Sequence, residues 1–128
     1  MASWRQLFKA HEEVAKGNFG VESYMTLELQ GKTFGVVGMG NIGQAVARLA
    51  QGLGMKVIYY SRQRKLACES QGMIYQDLST LMAQADVVGV FLDFNEATRC
   101  LINAHALEVL KPGAMIISII NTDVFDFE

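Results

Sequence analysis

The sequence predicts an α/β domain built on a parallel sheet, and three observations carry that reading. Helix-period and strand-like segments alternate along the chain. The strand-like segments at residues 86–92 and 114–120 are nearly unbroken apolar runs, as expected of strands covered on both faces. A glycine-rich turn, Gly38-Met39-Gly40-Asn41-Ile42-Gly43, joins one such strand to a helix.

Composition bounds the answer further. A chain of 128 residues predicts a single domain, and 51% hydrophobic against 19% charged residues, with one Pro, excludes a disordered chain. The net charge of −2 gives no general attraction to nucleic acid. Two cysteines, Cys68 and Cys100, make no disulfide framework, and no ligand spacing suggests a metal. No apolar run is long enough to cross a bilayer, and the N-terminus has no secretory pattern. A cytoplasmic protein is expected. The chain is short for an enzyme with separate cofactor and substrate halves.

The elements follow in order. Ser3 and Gln6 fit a capping box for a first helix. Trp4, Leu7, Phe8, His11, Val14 and Ala15 form its apolar stripe, and Gly17-Asn18 stops it. Leu27 and Leu29 alternate with polar neighbours in the stretch that follows. Residues 33–38 read as a strand. Residues 41–53 read as a helix with Ile42, Ala45, Val46, Leu49 and Ala50 on one face. Residues 55–60 form a second strand, 62–70 a short helix and 73–75 a brief third strand. Asp77 or Ser79 caps a helix through Met82, before the strand at 86–92. Asn103 caps a helix through Leu110, which Lys111-Pro112-Gly113 ends. Residues 114–120 form a fifth strand, and the acidic tail 121–128 shows no period.

The glycine turn fits G-x-G-x-x-G in the strand-to-helix context that a dinucleotide site requires. Gly38 permits the tight turn, Gly40 lets a pyrophosphate approach the backbone, and Gly43 lets the helix pack against the strand. The free N–H groups and positive dipole end of the helix then face the diphosphate. An NAD site usually places an acid near the end of the second strand, to bond the ribose 2′-OH. Here Ser61 stands there, 18 positions past Gly43, followed by Arg62, Arg64 and Lys65. A hydroxyl and a basic cluster suit a 2′-phosphate, so NADP(H) is expected to be preferred, with NAD(H) possible.

Several ordered segments resemble the cofactor domain of the D-isomer-specific 2-hydroxyacid dehydrogenases. These are residues 28–43, 54–62, 78–88, 96–103 and 110–114, which together cover nearly the whole chain. The Tyr60-Ser61-Arg62-Gln63 turn is similar to that of NADPH-using glyoxylate/hydroxypyruvate reductases. The resemblance implies a Rossmann-type, doubly wound sheet of about five strands in the order 3-2-1-4-5, with the substrate domain absent. It implies a nucleotide-binding core at 33–120 and a connector helix within 1–20. It also implies a homodimer, for which Trp4, Leu7 and Phe8 offer a surface, unless they pack on their own domain. Gly38, Gly40, Asn41, Ile42 and Gly43 match the family's phosphate loop. Ser61 and Arg62 hold its ribose-reading turn, with Arg64 beside them. Leu92 and Thr98 match the adenosine side. Asp93 replaces a usual Pro and Phe91 a frequent His. An inward acid at 93 would oppose the cofactor's phosphates, and outward solvation is expected.

The family's chemistry uses an Arg on the substrate carboxylate and a His paired with an acid. In register, Asn121-Thr122 stands where the Arg belongs, and nothing matches the acid or the His. His11 and His105 are the only histidines and match no catalytic position. The tail at 123–128 resembles either a later Asp-Val-Phe segment or, in register, a Val-Asp pair. The chain therefore reads as the cofactor domain of an NADP-dependent 2-hydroxyacid dehydrogenase, binding cofactor without turnover by itself. The alternative is a non-catalytic nucleotide-binding or dimerising module. Ile116, Ile117, Ile119 and Ile120 would make the fifth strand an apolar sheet edge that invites association.

Overall fold

The computed structural model describes residues 1–20, 24, 28–120 and 122–126. Five strands form one parallel sheet: β1 (Thr33–Val37), β2 (Lys56–Tyr60), β3 (Ile74–Tyr75), β4 (Val87–Val90) and β5 (Met115–Ser118). Their order is β3-β2-β1-β4-β5, as the resemblance implied. All four pairings are parallel. The helices are α1 (Leu7–Ala15), α2 (Asn41–Gly52), α3 (Leu66–Glu69), α4 (Leu78–Gln84) and α5 (Ala104–Glu108).

The central strands bury both faces, which is why their sequences do not alternate. On one face Val36, Val57 and Tyr59 pack with Ala47 and Ala50 of α2, and with Cys68 of α3. On the other, Val37, Ile58, Val88 and Val90 pack with Leu81 and Met82 of α4, and with Ala106 of α5. Gly35 lets α4 approach β1, since a Cβ there would lie 2.7 Å from Leu81 Cδ2. Asp86 pins the lower end of β4 between its neighbours. It accepts from the Thr33 N–H at 2.8 Å and from Lys111 Nζ at 3.2 Å. Burial pushes its carboxyl up, but these two donors outweigh it and hold the group below its ordinary value.

Asp77 caps α4 by accepting from the Thr80 N–H, and Asn103 caps α5 by accepting from the Ala106 N–H. Four expectations need correction. Ser3 and Gln6 form no capping box: Gln6 is itself the residue before α1, at φ 53°, and makes no side-chain cap bond. That left-handed residue separates the turns at 2–6 from α1. The apolar stripe consequently divides, with Trp4 packing against the core while Leu7, Phe8 and Val14 stay exposed. The buried face of α2 is Gly43, Ala47 and Ala50; of the predicted face Ala50 is buried and Val46 half-buried against the core, while Ile42, Ala45 and Leu49 are exposed. Gly43 sets this rotation, because it alone can meet the Gly38 carbonyl. The helix predicted at 62–70 starts only at Leu66. Residues before it form a turn, where Ser61 Oγ donates to Gln63 O at 2.5 Å and the Lys65 N–H to Tyr59 Oη at 2.8 Å. These bonds compete with helical ones.

After β5 the described tail adds no strand. Thr122–Val124 forms a 3-10 turn, and Phe125 makes a parallel bridge with Ile102. Val124 is fully buried there, and its carbonyl accepts from the Ile102 N–H at 3.2 Å.

Candidate functional site

A pocket of about 580 Å³ opens at the carboxyl ends of β1, β2 and β4. This is where the strand order reverses around β1, the position at which open α/β sheets bind ligands. Gly38, Met39 and Gly40 form its floor. Tyr60, Ser61, Arg62, Gln63 and Lys65 line one side. Phe91, Leu92, Asp93, Asn95, Ala97, Thr98 and Leu101 line the other.

The three motif glycines have separable causes. Gly38 has φ 98°, and a Cβ there would lie 2.8 Å from Phe91 O. A Cβ on Gly43 would strike the Gly38 carbonyl oxygen. Both glycines are thus required by the chain's own packing. Gly40 is different. Its φ is −80°, and a Cβ would meet nothing within 4 Å. Folding places no demand for glycine at 40, so the open space above it fits a ligand that must approach the backbone. The adjoining start of α2 has no side-chain cap and no acid in its first turn, leaving its N–H groups and dipole directed to an anion.

The turn after β2 sorts its charges. Arg62 and Lys65 line the pocket, and neither has a side-chain partner among the described residues. Arg64, between them, does not line the pocket. Its Nε and Nη2 donate to Glu69 Oε1 at 2.9 Å and Oε2 at 2.6 Å. Its guanidinium also lies 5.5 Å from the centre of the Tyr75 ring. The Arg64 hydrogen bonds, then that from Tyr59, hold the Glu69 carboxyl below its ordinary value. Ser61 is buried at the pocket wall, with its hydroxyl donating to Gln63 O.

On the opposite wall, Leu92 packs toward Gly38. The Thr98 hydroxyl donates to Asp93 O at 2.8 Å and accepts from the Asn95 N–H at 2.9 Å, so it shapes the loop. Asp93 is exposed to solvent and forms part of the pocket rim. Asn41 and Ile42 are exposed on the first turn of α2, beyond the lining residues, and Gly43 lies behind them. The structure therefore gathers Gly38, Gly40, Ser61, Arg62, Leu92 and Thr98 around one pocket and leaves Asn41, Ile42, Gly43 and Arg64 outside its lining. Asn121 lies outside the described residues, as do Leu27 and the tail's last two positions. His11 and His105 are exposed on α1 and α5, away from the pocket.

Sequence reasoning missed the part played by Tyr59 and Glu69. Tyr59 is fully buried, accepts from the Lys65 N–H and donates to Glu69 Oε1 at 2.9 Å. The available signal was a tyrosine within a buried strand, since its hydroxyl must find partners. Among the described residues no cluster of His, Cys, Asp and Glu could hold a metal ion, and no helix is long and apolar enough to cross a membrane.

A switch-point pocket floored by the first two glycines of a G-x-G-x-x-G turn defines the nucleotide-binding class of α/β domains. Comparison with known proteins specifies the family. The profile of the D-isomer specific 2-hydroxyacid dehydrogenase NAD binding domain matches residues 1–127. The chain belongs to that family and constitutes its NAD-binding domain. A glyoxylate reductase of Thermococcus litoralis is 43% identical over 70% of this chain and 28% of its own length. One from Thermococcus onnurineus is 34% identical over 100% of this chain and 41% of its own. The D-lactate dehydrogenase of Aquifex aeolicus, solved with NAD and lactic acid, superposes with a TM-score of 0.94 at 28% identity, over 98% of this chain and 38% of that one. The chain thus spans less than half the length of these relatives.

Proposed function

We propose that this domain serves an NADP-dependent 2-hydroxyacid dehydrogenase of the glyoxylate or hydroxypyruvate reductase kind. The observation that carries the cofactor choice is the pair of unpartnered cations, Arg62 and Lys65, on the pocket wall. Two cations with no side-chain partner among the described residues suit a 2′-phosphate, whereas a 2′-OH is commonly held by an acid, and Ser61 stands in that place. NADPH would supply the hydride for reduction of a small 2-keto acid. The chain's own residues bind and orient it. Gly40 admits the diphosphate to the start of α2, with Gly38, Asn41, Ile42 and Gly43 shaping that loop. Leu92 and Thr98 flank the adenosine, and Arg62, with Ser61, reads the 2′-phosphate. Arg64 acts through Glu69 rather than on the ligand.

Calorimetric titration with both cofactors tests this. NADP(H) should bind at least about tenfold tighter than NAD(H), the scale of one or two charge-assisted bonds. Arg62→Asp should abolish that margin and leave NAD(H) binding in place. Equal or tighter NAD(H) binding by the unaltered protein overturns the reading.

By itself the chain is proposed to bind cofactor without turnover, since neither histidine lies at the pocket and Asn replaces the Arg that the family uses. NADPH-dependent reduction of glyoxylate by these 128 residues would contradict this. Residues 1–20 are assigned as the connector from a substrate domain. A cytoplasmic setting fits the two free thiols. A homodimer is proposed from Leu7 and Phe8, exposed at 55% and 74%. The same exposed face favours, as a second reading, a dimerising module that binds the nucleotide without catalysis.

A further inference from the structure

Three basic residues within four positions follow Ser61, yet the fold treats them differently. Arg62 and Lys65 stay unpartnered on the pocket wall, while Arg64 is held twice by Glu69 and lies near the face of Tyr75. Glu69 is itself fixed by Tyr59, whose hydroxyl donates to Oε1 and accepts from the Lys65 N–H. The Tyr59 ring is fully buried and meets Tyr75 edge-on, with centroids 5.5 Å apart. The turn that carries the pocket's cations is therefore tied to the core through one phenol oxygen and one carboxylate.

We propose that Tyr59 and Glu69 are positioning residues that set selectivity for the 2′-phosphorylated cofactor. They anchor the turn at Lys65 and withdraw Arg64, so that Arg62 and Lys65 are the cations left on the pocket wall. The inference rests on the NADP(H) reading and adds to it the groups that make the basic turn a defined receptor. The physical reason is preorganisation. An exposed turn of long cationic side chains would otherwise lose conformational freedom on binding, and that loss would subtract from affinity. The tie at Lys65 N–H restricts the backbone before the ligand arrives. The Arg64 hydrogen bonds hold the anchor's carboxylate in place and lower its affinity for a proton.

The test is titration of the whole chain and of two variants with 2′-phosphorylated and 2′-hydroxyl dinucleotides. Tyr59→Phe retains the ring and removes both bonds while leaving the Arg64–Glu69 pair in place. Glu69→Gln retains the shape and removes the charge that holds Arg64. Each should reduce the ratio of the two affinities by about fivefold to tenfold, with 2′-hydroxyl binding unchanged within about twofold, since the phosphate loop is untouched. In Tyr59→Phe the Lys65 amide should also lose protection against hydrogen exchange. A purely structural role would weaken both ligands together and overturn the proposal. An affinity ratio left unchanged by both substitutions overturns the positioning role alone. An unaltered protein with no preference overturns the cofactor reading and the selectivity role together.

Discussion

At Gly40 and Gly43 the same residue type answers to different demands. Gly43 faces the Gly38 carbonyl, so Gly43→Ala should lower stability by about 2 kcal/mol or more, measured by chemical denaturation. Gly40 faces open space with an ordinary φ, so Gly40→Ala should keep its melting temperature and still weaken cofactor binding at least about tenfold. Equal loss of stability in both would remove the argument that position 40 is reserved for a ligand. The motif was legible in the sequence because a phosphate loop has fixed glycine spacing. The motif's pattern also assigned Gly40 to the ligand and Gly38 and Gly43 to turn and packing; only the structure supplied what a Cβ would strike, Phe91 O at Gly38 and the Gly38 carbonyl at Gly43. Arg64 teaches the same point. Its charge was visible, but its direction depends on Glu69, five residues on, and on Tyr75 from a different strand.

At the level of elements, the caps were readable because a side chain three residues from an N–H is a local matter. Asn103 caps as expected, Asp77 rather than its alternative Ser79 caps α4, and the box expected at Ser3 and Gln6 does not form. Asn103→Ala should cost about 1 kcal/mol of stability, measured by thermal or urea unfolding. The rotation of α2 was not readable from its apolar residues. Ile42 and Leu49 are bulkier than Gly43 and Ala47, yet the small residues face the sheet. Close approach of helix and strand outranks hydrophobicity at this contact. Acid sensitivity also belongs to this scale. Asp86 ties β4 to β1, Asp77 caps α4 and Glu69 anchors the turn, and each has a lowered pKa. A lowered value means stability present above the ordinary values of 3.8 for Asp and 4.5 for Glu and lost as the pH falls below them. The melting temperature should therefore fall as the pH drops below about 4 and change little above about pH 5 through these groups. A flat profile down to about pH 3 would contradict the three pairings.

For the whole molecule, the exposed apolar groups bear on assembly. Leu7, Phe8 and Val14 of α1, Ile42 and Leu49 of α2, and Ile117 and Ile119 beside the β5 edge all remain uncovered in the single chain. Scattered apolar residues are ordinary on a surface, but a helix face and a sheet edge are not scattered. Sedimentation at micromolar concentration should give a dimer or larger species, and Phe8→Asp should shift it toward monomer. A clean monomer would count against the assembly. The sequence by itself determined the sheet, its parallel sense and the place of the phosphate loop. Strand character and turn chemistry are local, and the family resemblance supplied the order 3-2-1-4-5. Only the tertiary structure decided that Trp4 turns inward while Leu7 and Phe8 stay out. It also decided that Arg62 and Lys65 face the pocket while Arg64 turns away. The physical reason is that a side chain's direction is set by partners far along the chain, and these meet only when the sheet has brought β2, β3 and β4 together.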